Sequence, residues 1–115
     1  MKVIVAGSRD FSDYFLLEKH LDEIKTKYGI TEIVSGTARG ADRLGEIYAK
    51  LHDIPIKRFP ADWNKYGKRA GYLRNKEMAE YADACICFWI NQSKGTKMMI
   101  DLAKEYKIRL RVVEL

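Results

Sequence analysis

Cysteine is scarce: Cys85 and Cys87 are the only two. Two positions apart on a strand, they share a face but lack the geometry to bridge each other, so a disulfide framework is excluded and both read as buried thiols. Histidine is equally scarce. His20 and His52 stand alone in separate helical patterns, too few and too far apart to indicate a structural metal. Long apolar runs are missing as well: the longest, residues 3–6 and 84–90, are too short to cross a bilayer. The start of the chain enters a strand-like run without a signal-peptide layout. A cytoplasmic protein with no membrane partner is therefore expected. There is no repeat and no low-complexity stretch, and 47% hydrophobic with 32% charged residues excludes a mainly disordered chain. At 115 residues one core is expected, so residues 1–115 read as a single domain. Charge is one-sided. A net +5 suits an anionic partner, which leaves both phosphate ligands and nucleic acid open.

What is present is an alternation of strand-like and helix-like segments, the mark of βαβ units on a parallel sheet. The strands read as residues 2–6, 32–35, 56–59, 84–89 and 109–114. The first helix, 13–28, carries Tyr14, Leu17, Leu21, Ile24 and Tyr28 at helical spacing, with Ser12 or Asp13 as N-cap and Gly29 as stop. The second, 41–52, is expected to bury Ala41, Leu44, Ile47 and Leu51. Residues 60–69 read as a long loop before a helix that reaches Tyr81, and the last helix as 96–106.

Strands one and four are continuously apolar and belong at the centre of the sheet. Strand three, bracketed by Pro55 and Pro60, and the alternating strand five belong at its edges. Right-handed crossovers then give a Rossmann-like three-layer α/β sandwich with a five-stranded parallel sheet in the order 3-2-1-4-5. The chain reverses between strands one and four, and open α/β sheets bind ligands at such a crevice.

Three strand-end loops carry unusual residues. After strand one, Gly7 allows close backbone approach, Ser8 offers a hydroxyl, Arg9 can grip phosphate or carboxylate in two places, and Asp10 follows. A G-x-G-x-x-G fingerprint is absent, which disfavours dehydrogenase chemistry. After strand two, Ser35, Gly36, Arg39 and Gly40 lead into a helix start, a natural anion site. Asp42 either accepts hydrogen bonds from ribose hydroxyls or favours the positive end of the helix dipole. Glu46, one turn on, could pair with it in acid–base chemistry but reads better as a solvated helix position. After strand four come Asn91, Ser93, Gly95 and Thr96, with Ser93 or Thr96 able to cap the helix. The order Lys94-Gly95-Thr96 is not that of a P-loop, so NTP hydrolysis is not indicated. Within 60–75, Trp63 can stack on a base and Arg74 and Asn75 face the pocket, while Lys65, Lys68 and Arg69 read as solvated. Met78, Met98 and Met99 read as core.

Taken together, Gly7-Ser8-Arg9-Asp10-Phe11, Ser35-Gly36-x-Ala38-Arg39-Gly40-Ala41-Asp42, Phe59-Pro60-Ala61-Asp62-Trp63, Arg74-Asn75-x-x-Met78 and Gly95-Thr96 resemble the YspA-like branch of the SLOG superfamily. That Rossmann-like group also includes DprA and the LOG (lonely guy) phosphoribohydrolases. The resemblance spans nearly the whole chain and implies a pocket for nucleotide derivatives; related SLOG domains sense ADP-ribose-type signals in bacterial and phage conflict systems. It also exposes a departure. LOG hydrolases carry Pro-Gly-Gly-x-Gly-Thr-x-x-Glu, whose glutamate takes part in cleaving the N-glycosidic bond, and here the matching position is Met99. Asp42, Glu46 or Asp101 would have to substitute for it.

The expected function is capture of a nucleotide-derived ligand, ADP-ribose-like, cyclic ADP-ribose-like or a nucleoside phosphate, by a sensor or sequestering protein without cofactor or metal. One alternative is a nucleotide-processing hydrolase with Asp42 or Glu46 as acid or base. Another is DprA-like binding of single-stranded DNA through the basic 60–69 segment. A homodimer or higher homo-oligomer is the expected assembly.

Overall fold

The computed structural model describes residues Met1–Leu115. Five strands, β1 (Lys2–Gly7), β2 (Glu32–Ser35), β3 (Ile56–Arg58), β4 (Ala84–Trp89) and β5 (Arg109–Glu114), form one sheet in the order β3-β2-β1-β4-β5. Every pairing is parallel, with Val3 opposite both Ile33 and Ala84. The central pair is the one that continuous apolarity selects: Val3, Ile4 and Val5 of β1 and Ile86, Cys87 and Phe88 of β4 are fully buried. Alternate residues of these strands serve opposite faces. Val3, Val5, Ile33 and Ile86 pack under α1 (Tyr14–Tyr28) and α2 (Ala41–Leu51). On the other face Ile4, Val34, Cys85 and Cys87 pack under α4 (Ala70–Tyr81) and α5 (Lys94–Glu105), completing the three-layer α/β sandwich. No helix is long and apolar enough to cross a membrane.

Asp13, not Ser12, caps α1 by accepting from the Leu16 N–H at 3.1 Å, and Gly29 ends it at φ 76°. Leu17, Leu21 and Ile24 form its buried stripe; Tyr28, expected to extend that stripe, is exposed beneath the Arg109 guanidinium, 4.8 Å from the ring.

The expected face of α2 is corrected. Ala41 is buried as expected, but Ile47 and Leu51 are exposed and Leu44 is half-buried, and the helix buries Gly45, Tyr48 and Ala49 in their place. Gly45 sets that choice, because a Cβ there would stand 2.7 Å from Val5 Cβ. Small residues thus let α2 settle onto β1, while Tyr48, fully buried, donates its hydroxyl to Asp22 on α1 at 2.7 Å.

Most of the segment expected to be a loop, from Trp63 to Arg69, is helical. Asp62 caps a single turn, α3 (Trp63–Tyr66), by accepting from the Lys65 N–H at 3.0 Å. A 3-10 turn over Gly67–Arg69 then runs straight into α4. Helix α5 begins at Lys94, two residues before the expected start.

Candidate functional site

At the C-terminal ends of β1, β2 and β4 lies a cavity of about 540 Å³, within the usual range for small-molecule sites. Gly7, Ser8, Arg9 and Asp10 line it from the end of β1, and Ala38, Arg39 and Asp42 from the α2 entry. Trp63 comes from α3; Gly71, Arg74 and Asn75 from α4; and Ile90, Asn91, Ser93, Gly95 and Thr96 from the far end of β4 and the first turn of α5. Of the residues the sequence nominates, Ser35, Gly36 and Gly40 lie outside this wall. Gly36 lines an adjoining hollow of about 320 Å³ that shares Arg9, Arg39, Trp63 and Arg74.

Backbone geometry explains why the three loops converge. A Cβ on Gly40, which sits at φ 82°, would be 2.6 Å from the Arg9 carbonyl oxygen and would also strike that of Ser8, so the β2 loop can close on the β1 loop only with glycine there. A Cβ on Gly7 would likewise strike the Phe88 carbonyl and stand 2.8 Å from Ala41 Cβ. Three non-glycine residues of the crevice loops hold left-handed backbone: Thr37 (φ 66°), Asn91 (φ 50°) and Gln92 (φ 50°). Such conformations cost energy and gather at ligand-binding turns.

The floor is joined by hydroxyls. The Ile90 N–H donates to Ser8 Oγ at 3.0 Å, Ser8 Oγ and Ser93 Oγ lie 2.9 Å apart, and Ser93 Oγ donates to Thr96 Oγ1 at 3.0 Å. Ser8 and Thr96 are buried, and Ser93 holds the N-cap position of α5 without capping it through its side chain. These hydroxyls tie the β1 and β4 loops together. The first-turn N–H groups of α2 and α5 have no intrahelical acceptor.

Charge is distributed unevenly over the wall. Arg9 and Arg39 are exposed at the rim and belong to none of the protein's ion pairs. Arg74 lies deeper. Its Nε donates to Asn75 Oδ1 at 2.8 Å and its NH1 to the Gly36 carbonyl; burial lowers its pKa, Asp42 opposes that, and Arg9 adds to it. Asp42 is 6% exposed, and Oδ2 accepts from the Ala38 N–H at 3.3 Å. Burial pushes its carboxyl up to about 6, against the pull of Arg74 and the Ala38 N–H and with a further push from Glu46.

Glu46 does not join Asp42 in the crevice, nor is it solvated as expected. Its Oε1 lies 2.9 Å from Arg58 NH2 and its Oε2 accepts from Ser35 Oγ at 2.6 Å, which turns it toward β3. Asp101 is exposed and paired with Lys97 at 2.8 Å. Asp42 is therefore the buried carboxylate of the cavity, with Asp10 exposed at the rim. The thioether-bearing Met78, Met98 and Met99 pack in the core or beside it and also form the apolar side of the cavity, a second role that helical spacing alone does not reveal. Lys65, Lys68 and Arg69 are exposed outside it. No histidine or cysteine lines the cavity.

Three comparisons bear on this architecture. The model of a family described as "YspA, cpYpsA-related SLOG family" matches residues 1–66. The Gene 61 protein of Mycobacterium phage D29 is 36% identical over 104 residues, covering 84% of this chain and 82% of that protein. Among solved structures, DNA processing protein A from Helicobacter pylori, described for its single-stranded DNA binding mode, matches with a TM-score of 0.67 at 20% identity. That match covers 97% of this chain and 64% of the Helicobacter chain, and at this identity it is a likeness of fold.

Proposed function

Because the chain belongs to the YspA, cpYpsA-related SLOG family, we propose that its strand-end crevice binds a nucleotide-derived ligand such as ADP-ribose, a cyclic relative or a nucleoside phosphate. The reading is carried by the convergence of Arg9, Arg39 and Arg74 on one cavity of about 540 Å³ that also receives the first turns of α2 and α5. Guanidinium groups and free helix-start N–H groups are the usual partners of phosphate. Trp63, half exposed at the mouth, offers a face on which a base can stack, and the methionine side offers apolar contact for the rest of the ligand.

Capture rather than turnover is favoured because Met99, 2% exposed in the cavity wall, has no proton to exchange where the LOG hydrolases have a glutamate. On this reading residues 1–115 are one domain that senses or sequesters its ligand. Calorimetry with ADP-ribose, cyclic ADP-ribose and nucleoside monophosphates tests it: binding by at least one is expected, and none at millimolar concentration overturns it. Chromatography of the same mixtures for released base or phosphate checks for turnover.

A second reading, single-stranded DNA as the phosphate source, draws on the exposed Trp63, Tyr66 and Tyr72 interleaved with Lys65, Lys68 and Arg69, and on the single-stranded DNA binding described for the Helicobacter protein of like fold. Oligonucleotide affinity would then fall steeply from low to physiological salt. A flat salt response removes this reading and leaves the first standing.

A further inference from the structure

We infer that Asp42 selects for ribose, one of whose ring hydroxyls donates to its carboxylate while the attached phosphate meets the neighbouring arginines. The inference rests on the nucleotide reading above and sharpens it.

The geometry around Gly36 brings acceptor and cation together. A Cβ on that glycine would stand 2.8 Å from Asp42 Oδ2 and 2.9 Å from Arg74 NH1, so the carboxylate and the guanidinium flank one small gap. Oδ2 is engaged by the Ala38 N–H, and the residue's own backbone N–H also bonds the carboxylate, with no side chain among its donors. Asp42 lines the cavity, and two backbone donors do not exhaust a carboxylate's acceptor capacity, which leaves room for a donor from a ligand. A carboxylate can accept from several donors, and one held in a largely desolvated wall gains most from a ligand that brings one.

The ligand's donor must lie close to its phosphate, because the acceptor lies close to Arg74. The hydroxyls of a ribose meet that demand. The amino groups of a base do not, since they lie across the sugar from the phosphate. Bare phosphate or pyrophosphate brings at most a P–OH on the anion itself and would set its charge directly beside the carboxylate. Asp42 therefore works against simple anions while favouring an anion that carries a sugar.

Paired titrations of the intact protein with AMP and 2′,3′-dideoxy-AMP at pH 7.5 test this, since the two ligands carry the same phosphate and base. AMP is expected to bind about ten- to a hundredfold more tightly, the usual range for a hydrogen bond to a charged group. The two monodeoxy compounds then assign the hydroxyl. Equal affinities overturn the role of Asp42 and leave nucleotide binding intact; no binding by either overturns both. Asp42→Ala, its fold checked by circular dichroism, is expected to abolish the preference. A preference that persists in a folded variant assigns hydroxyl reading to another group. The ligand-side comparison decides the matter even if the variant does not fold.

Discussion

Asparagine in place of Asp42 should make the protein more stable at neutral pH and leave its stability at pH 4 nearly unchanged. The folded protein raises this carboxyl from 3.8 to about 6, chiefly by burial. Between those values the folded state keeps a proton that the unfolded chain has released, so unfolding free energy falls as pH rises. The loss runs at 1.36 kcal/mol per pH unit and totals about 3 kcal/mol above pH 6. Asparagine keeps an oxygen for the Ala38 N–H and has no charge to desolvate, so the wild-type stability lost through this window is retained in the variant. A urea dependence of about 1–3 kcal/mol per molar turns that difference into a midpoint shift of at least about 1 M. Urea unfolding of both proteins at pH 4, 5, 6 and 7.5 measures it, and the difference between the two curves cancels the titrations that are not coupled to Asp42. A difference that is flat in pH, or a variant less stable than wild type at pH 7.5, refutes the reasoning. Acid stability lost by the wild type alone would refute it as well, because that is the sign for a carboxylate stabilised by folding.

Arg39→Ala should weaken binding of ADP-ribose about ten- to a hundredfold, the equivalent of roughly 1.5–3 kcal/mol for a charge-assisted contact, while Arg69→Ala, outside the cavity, changes it by less than about threefold in calorimetry. Gly40→Ala should lower unfolding free energy by about 2–5 kcal/mol in urea, since it combines positive-φ strain with a clash against two backbone carbonyls; a loss below about 1 kcal/mol would mean that the two loops separate easily. Ser8→Ala leaves the Ile90 N–H without its acceptor and should cost about 1–3 kcal/mol in the same measurement, with the largest rise in hydrogen exchange at Ile90.

Strand order was readable because burial on both faces writes itself into β1 and β4 as unbroken apolar runs, whereas β3 has Pro55 before it and Pro60 just beyond it. The buried face of α2 was not. Periodicity weights Leu44, Ile47 and Leu51 for their size, but the contact with Val5 is decided by the absence of a side chain at Gly45, which carries no hydrophobic signal. Helix α3 escaped notice because one turn is too short to show a period, although Asp62 ahead of Trp63 is a fitting cap. At the site, glycines, arginines and small hydroxyl residues at three strand ends marked the crevice. What they could not disclose was pairing at a distance. Ser8 meets Ile90 and Ser93 across the β1–β4 crossover, and Glu46 is drawn to Arg58 on an edge strand. Each of those partners depends on sheet register, which no local pattern contains.

The walls of the crevice differ in what else depends on them. Those built from the ends of β1, β2 and β4 are continuous with the sheet, so a change in their shape is also a change in the core. Helix α3 and the 3-10 turn that follows, with Trp63 at the cavity, contribute no buried residue. Substitution there alters the girth and chemistry of the opening while the hydrophobic core is left untouched. A lineage under pressure to recognise a new ligand therefore has one short stretch of chain in which it can explore without risking the fold.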